Sequence, residues 1–348
     1  MSTRADEWAK TACMAVAIVA AIAGPAAAGA TEKSDQNLPQ VKYESGFLPL
    51  KWFSGGPECA TFRDDFQVNK YNDNFYILRE SGCVHTEKPF LYLLFGKDRA
   101  ILFDTGAGND TDPTTGRVPN VAGAVDQVIK QWLTKNNRQS IHLVVTHLHS
   151  HFDHVWGDSQ FVNRPDTTFV KPGDVNTLKT VFGIARWPEE TGTFDLGGRI
   201  LDIIPAPGHD ATSMAVYDRE TAVLLTGDVL YPGRVYVNER DPDLMQASAQ
   251  RLVDFTSIRP IAHVLGTHIE QRAPYYDYAR GIHYAPQEVP LQLGRAHLLE
   301  MLEATKLRTV QGNNKQITQK AYRDFTICGA YPKCEPVNAE TRTASIND

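Results

Sequence analysis

The chain has 348 residues, 42% hydrophobic and 22% charged, an ordinary globular balance with ample length to bury a core. Its formal net charge is -6. That sign leaves no basic face to track a phosphate backbone, so nucleic acid is not expected as a partner and a small-molecule substrate is.

At the N-terminus, Arg4 and Lys10 precede or flank an apolar run, Thr11 to Gly24 (TACMAVAIVAAIAG), and Pro25 leads into Ala26-Ala27-Ala28, a small-residue cleavage pattern. An apolar run of about fourteen residues falls short of the roughly 20 that span a bilayer. Residues 1–28 therefore read as an export signal, which makes the mature protein periplasmic or secreted, with no stable membrane insertion. Cys13 leaves with this segment, and Cys59, Cys83, Cys328 and Cys334 remain. An even number in an exported chain suggests disulfides; three connectivities exist, and sequence order favours Cys59 with Cys83 and Cys328 with Cys334. Residues 29–59, polar and turn-rich around GFLPLKWF, are expected to form an extended arm lying on the main body.

A catalytic domain is expected over residues 60–273. Asn74 to Arg79, Phe90 to Phe95 and Ala100 to Phe103 are short β-favouring runs bounded by turn residues, the pattern of an antiparallel meander, and Asp104-Thr105-Gly106-Ala107-Gly108 breaks the last of them. Val121, Val125, Val128, Ile129 and Trp132 recur at helical spacing, which predicts an amphipathic helix over Val121 to Lys135. Ile141 to Val145 reads as a buried strand, and a histidine cluster starts almost where it ends. Further strands are expected at Thr168 to Val170, Arg199 to Ile204, Ala215 to Tyr217, Val223 to Thr226 and Ala262 to Leu265, with a helix from about Leu244 to Ile258. Residues 274–348 read as a tyrosine-rich, partly helical extension, with a helix near Leu291 to Lys306 and a polar tail.

The cluster is THLHSHFDH, residues 146 to 154, with four of the chain's 11 histidines inside nine positions. Imidazole and carboxylate are the donors zinc takes from a protein, and several must converge. His149-Ser150-His151-Phe152-Asp153-His154 spells H-x-H-x-D-H, in which alternate residues point the same way and the following turn brings Asp153 and His154 to a second point. One stretch can thereby serve two metals.

That hexamer, followed by Gly157, resembles the signature of the metallo-β-lactamase fold superfamily. The likeness extends to Pro207-Gly208-His209, Thr226-Gly227-Asp228 and Gly266-Thr267-His268, each after an expected strand, and spans roughly Phe75 to His268. The resemblance implies an α/β fold, an αββα sandwich of two mixed β-sheets with outer helices. It also implies that His149, His151 and His209 hold a first zinc, that Asp153, His154 and His268 hold a second, and that Asp228 bridges both. Most members place the first ligand directly after the strand's terminal threonine, which here would nominate His147. Only His149 completes the hexamer, so His147 is expected to support the ligands or pack the loop, with the loop two residues longer than the common form. Asp104 matches a position whose carboxylate orients a ligating histidine, as such an imidazole requires.

With two zinc ions the implied reaction is hydrolysis by a shared, acidified water, with Asp153 and Asp228 as the catalytic carboxylates. Iron and manganese stay open as alternative metals. A β-lactamase-like amide hydrolase usually has cysteine or serine where Asp228 stands. An iron-dependent sulfur dioxygenase would use fewer ligands, and a thioesterase of the glyoxalase II type would need a site for its carrier. The expectation is an exported metallo-hydrolase of a small ester or lactone. Tyr231, Arg234 and Tyr236, just after Asp228, are expected near the substrate.

Overall fold

Strands with apolar side chains on both faces must be covered twice, and that requirement sets the layers of this protein. The computed structural model describes residues 43–108, 118–238, 241–311, 314–329, 334 and 336–338. The expected export signal and the first part of the expected arm lie outside the described residues. One sheet contains, in spatial order, β1 (Phe66–Asn72), β2 (Phe75–Glu80), β3 (Phe90–Phe95), β4 (Arg99–Phe103), β5 (His142–Thr146) and β6 (Thr167–Phe169). β2, β3 and β4 are the expected antiparallel meander, to which β1 adds an antiparallel edge strand that was not expected, while β4, β5 and β6 run parallel.

The second half of the chain supplies β7 (Gly192–Asp195), β8 (Ile200–Pro205), β9 (Met214–Asp218), β10 (Val223–Gly227), β11 (Arg234–Tyr236) and β12 (His263–Gly266). A hairpin of β13 (Gln271–Arg272) and β14 (Tyr276–Asp277) follows, then β15 (Gln292–Leu293). The second sheet has the order β15-β12-β10-β9-β8-β7, so both sheets are mixed. Among the described residues five α-helices complete the frame: α1 (Val121–Lys135), the single turn α2 (Phe152–Val155), α3 (Val175–Phe182), α4 (Pro242–Thr256) and α5 (Arg295–Lys306). None of the described helices is long and apolar enough to cross a membrane.

The period of two along each strand sorts the side chains. Phe75, Ile77, Tyr92 and Leu94 meet Leu201, Ile203, Val216 and Leu225 between the sheets. Their neighbours Tyr76, Leu78, Leu91 and Leu93 point outward onto Val121, Val125, Val128 and Trp132 of α1. On the opposite side, Tyr217, Leu224 and Val264 face Met245 and Leu252 of α4 and Leu298 and Met301 of α5. Helix, sheet, sheet, helix is the αββα sandwich, with each buried aliphatic or aromatic side chain contributing about 1.5–3 kcal/mol. α1 begins where Asn120 Oδ1 accepts from Gly123 N at 2.9 Å, and Trp132 anchors it by stacking on Phe95, ring centroids 4.7 Å apart.

The segment after Ala273 is less helical than its sequence suggests. Leu291 does not open the last helix: Gln292 and Leu293 extend the second sheet by pairing with β12, and α5 starts after Gly294. Beyond α5, β16 (Arg308–Gln311) pairs with β17 (Asn314–Ile317), and β18 (Lys320–Ala321) pairs with β19 (Thr326–Cys328). β19 in turn lies parallel to β11. The two disulfides are Cys59–Cys83 and Cys328–Cys334. Residues 43–56 form neither helix nor strand; Phe47 N bonds Tyr71 O at 2.8 Å and Trp52 is buried edge-on against Phe90.

Candidate metal centre

Strand direction brings the chemistry-bearing residues to one edge. β8 and β10 both run antiparallel to β9, so they point the same way, and β12 runs parallel to β10. His209, Asp228 and His268 follow the ends of those three strands, as Asp104 follows β4 and the histidine cluster follows β5. The chain then turns sharply at α2, where His154 N donates to His151 O at 3.0 Å, and Asp153 and His154 come back beneath His149. Close approach explains the glycine after the hexamer: a Cβ on Gly157 would stand 2.4 Å from the Thr105 carbonyl oxygen.

Two groups of donors result. His149, His151 and His209 form one; Asp153, His154, Asp228 and His268 form the other, and within each the donor atoms lie within 4.8 Å of one another. His209 Nε2 is 2.9 Å from His151 Nδ1. In the second group His268 Nε2 is 3.2 Å from Asp153 Oδ2. Asp228 stands between them. Its Oδ2 is 3.8 Å from His149 Nε2 and 3.6 Å from His209 Nε2, and its Oδ1 is 3.5 Å from His154 Nε2 and 3.4 Å from His268 Nε2.

His147 belongs to neither group. Its Nε2 lies 2.8 Å from Asp158 Oδ1, which also accepts from Thr105 Oγ1 at 2.8 Å. The intervening Leu148 is buried and joins the two sheets: its N donates to Asp104 Oδ1 at 2.8 Å, and its carbonyl accepts from Met214 N of β9 at 2.9 Å. His85, His142, His263, His283 and His297 also stand outside both groups.

Each imidazole that faces the centre through Nε2 and has a second contact is held from behind. His154 Nδ1 meets Asp104 Oδ2 at 2.9 Å, His209 Nδ1 meets the Tyr236 carbonyl at 2.8 Å, and His268 Nδ1 meets the Glu87 carbonyl at 3.0 Å. Such acceptors fix tautomer and ring angle. Asp104 thus sits where the sequence placed it; the Glu87 contact has no sequence signal, because it joins positions 181 residues apart.

The charges are mutually dependent. Burial pushes His149 well below its ordinary pKa, with His154 adding to the effect. Burial acts in the same direction on His154, but Asp104, Asp153 and Asp228 outweigh it and hold that imidazole well above its ordinary value. His268 is raised in the same way by Asp228 and Asp153. Burial alone would raise Asp228; His268, His154 and His149 instead hold it well below the ordinary carboxylate range. His149 Nε2, His154 Nε2 and Asp228 Oδ1 are buried with no hydrogen-bond partner. Orphaned polar atoms are costly, and clustered imidazole and carboxylate donors are what zinc-type ions take. The donor set fits one divalent ion in each group, with Asp228 able to face both.

A cavity of about 740 Å³ opens over this centre. Asp153, His151, His209, Asp228 and His268 form its floor, with Phe152, Val237, Ile269 and Ile282 among its apolar walls. Tyr231, Arg234 and Tyr236 all line it, as expected, but the Arg234 guanidinium is engaged. Nη2 pairs with Glu270 Oε1 at 2.7 Å and Nη1 donates to the Tyr278 carbonyl at 2.9 Å, so this residue braces the wall. Lys88, Tyr278 and Arg280 also line the cavity and were not anticipated from sequence.

Comparison with known proteins agrees with this geometry. The model of the metallo-beta-lactamase superfamily matches residues 89–260, which include the hexamer, His209 and Asp228. A hydroxyacylglutathione hydrolase of Rhizobium meliloti is 27% identical over 145 residues, 41% of this chain and 54% of that protein. The acyl-coenzyme A thioesterase MBLAC2 of Gallus gallus is 25% identical over 251 residues, 63% of this chain and 81% of that protein. The chain thus spans about half the length of the first of these relatives. Among solved structures, a metallo-beta-lactamase from Pontibacter korlensis superposes with a TM-score of 0.45 at 18% identity, covering 69% of this chain and 99% of that one. Through residues 89–260, the chain belongs to the metallo-β-lactamase superfamily.

Proposed function

We propose that this protein is a metal-dependent hydrolase in which two zinc ions are held by His149, His151 and His209 and by Asp153, His154 and His268, with Asp228 between them. The observation that carries this reading is the division of Asp228's two oxygens between the two histidine groups. Two such ions supply Lewis acidity for a carbonyl and a nucleophilic water near neutral pH. Asp153, on the cavity floor, is placed to hold or pass the proton released during hydrolysis. Asp104 and the carbonyls of Tyr236 and Glu87 keep the imidazoles aligned as charge changes. The cavity would receive the acyl group, and Tyr231 and Tyr236 form part of its wall.

The bond cleaved in this reading is a carboxylic ester or lactone. A thioester is the second reading, favoured by the names of the two curated relatives. Export is part of the proposal, supported by the apolar run Thr11 to Gly24 ahead of Ala26-Ala27-Ala28 and by the two disulfides. The test is elemental analysis of the purified protein together with a chromogenic panel of esters, lactones, thioesters, phosphodiesters and a cephalosporin. Two equivalents of zinc and acyl cleavage lost in Asp228→Ala are expected. Less than one equivalent of transition metal, or full activity in Asp228→Ala, removes the mechanism.

A further inference from the structure

Lys88 is a buried lysine of the cavity wall, 6% exposed, on a turn whose φ of 49° is unusual for a side-chain-bearing residue. Its Nζ donates to the carbonyls of Thr86 and Ile282, both at 2.7 Å. An ammonium has three N–H donors, so one remains. Among the described residues no carboxylate forms an ion pair with it.

The surrounding charges do not cancel it. Glu288 is already paired with Arg79, 2.8 Å away and equally buried, while Glu270 is paired with Arg234. Glu80, next to Arg79 in the chain, is fully buried, and its Oε2 accepts from Ala107 N at 3.0 Å. Burial lowers the Lys88 ammonium to about 8, so it remains mostly charged at neutral pH. Lys88 Nζ thus keeps one N–H beyond its two carbonyl partners, on a side chain that lines the cavity, while the nearby carboxylates Glu288 and Glu270 are bound to arginines. A buried charge without a counter-ion is unfavourable, and an entering anion relieves that cost. The position is informative as well, since the preceding residue, Glu87, gives its carbonyl to His268.

We infer that Lys88 receives an anionic group of the substrate, a carboxylate or phosphate carried on the same molecule as the acyl bond. The inference rests on the hydrolytic reading above and narrows its substrate class to anionic acyl compounds. A lysine that merely ties Thr86 to Ile282 would show no such selectivity.

The test compares two 4-nitrophenyl esters of similar length on the zinc-loaded protein, the neutral pentanoate and the anionic hydrogen glutarate. The wild type is expected to favour the glutarate in kcat/KM, chiefly through KM. In Lys88→Met that preference should fall by about 10- to 100-fold, the span of one charge-assisted hydrogen bond, and Lys88→Arg should recover part of it. A wild type without the preference, or a ratio unchanged in Lys88→Met, overturns the inference. Calorimetric binding of glutarate to wild type and Lys88→Met separates the two claims. If neither ester is cleaved, the hydrolytic reading fails for these bonds, and the Lys88 assignment then stands only if glutarate binds the wild type at least about tenfold more tightly.

Discussion

His147 Nε2 lies 2.8 Å from Asp158 Oδ1, and this pairing turns the first histidine of THLHSHFDH away from the two donor groups. The consequence is a clean contrast. His147→Ala should leave the metal content unchanged and lower stability by about 1–3 kcal/mol, the cost of deserting a buried polar partner. His151→Ala should lose metal. Inductively coupled plasma analysis of the two variants, with denaturant melts, decides the matter; comparable metal loss in both places the ligands in the wrong register.

Asp104 touches no position at which a metal would be bound, yet it holds both His154 and the Leu148 amide. Asp104→Ala should weaken zinc binding by about 10- to 100-fold, as loss of an orienting acceptor does. Competition with a chromophoric chelator gives the number. Unchanged affinity would mean that Leu148 and the surrounding packing suffice to aim the imidazole.

The metal-free protein should respond to pH oppositely to the loaded one. His154 and His268 have raised values when folded, so their contribution is complete below the unfolded value near 6.5 and is lost as pH rises through the folded value. Asp228 is depressed, so its contribution is present above about 4 and is lost as pH falls toward the folded value. His149 is depressed and works against the fold below about 6.5, so metal-free stability should be greatest near that pH and decline above it, whereas zinc binding needs deprotonated imidazoles and strengthens with pH. Melting both forms at pH 6 and 8 is the check, and the Tm gap between them should widen.

Asp277 offers a test outside the two donor groups. Burial pushes its carboxyl up to about 6, while its Oδ2 accepts from Val337 N at 2.8 Å. A value raised on folding means stability that is complete below the unfolded value and is lost as pH rises through about 6. Asp277→Asn keeps an acceptor for Val337 and cannot ionise. Urea titrations should find it more stable than wild type at pH 8, by at most about 3 kcal/mol, and nearly equal at pH 4. An equal difference at both pH values would assign the effect to something other than ionisation.

Much of this architecture is legible in the sequence wherever burial imposes a period. α1 has the expected bounds because five apolar residues recur on one face, and β3 does because FLYLLF is buried on both. β1 was missed: FQVNKYN is a half-exposed edge strand, and its polar face leaves no alternation to read. α3 was missed too, although Asp174 caps its start through Asn176 N and Gly183 ends it in the left-handed conformation, a pair of signals that could have marked it. The donor groups were readable because H-x-H-x-D-H, His209, Asp228 and His268 each follow a strand. The cavity wall was not. Lys88 and Ile282 meet across 194 residues, and a contact made only by folding leaves no local pattern.

Leu148 gives the centre a further property. Held by Asp104 on the side of the first sheet and by Met214 of the second, with its side chain in the core between them, it sits directly between His147 and His149. Inter-sheet packing and donor spacing are therefore one mechanical variable, and whatever slides the sheets changes the distance between donors. By linkage, filling or hollowing that core, as in Met214→Ala, should alter zinc affinity without touching a donor, and zinc should stiffen the seam in return.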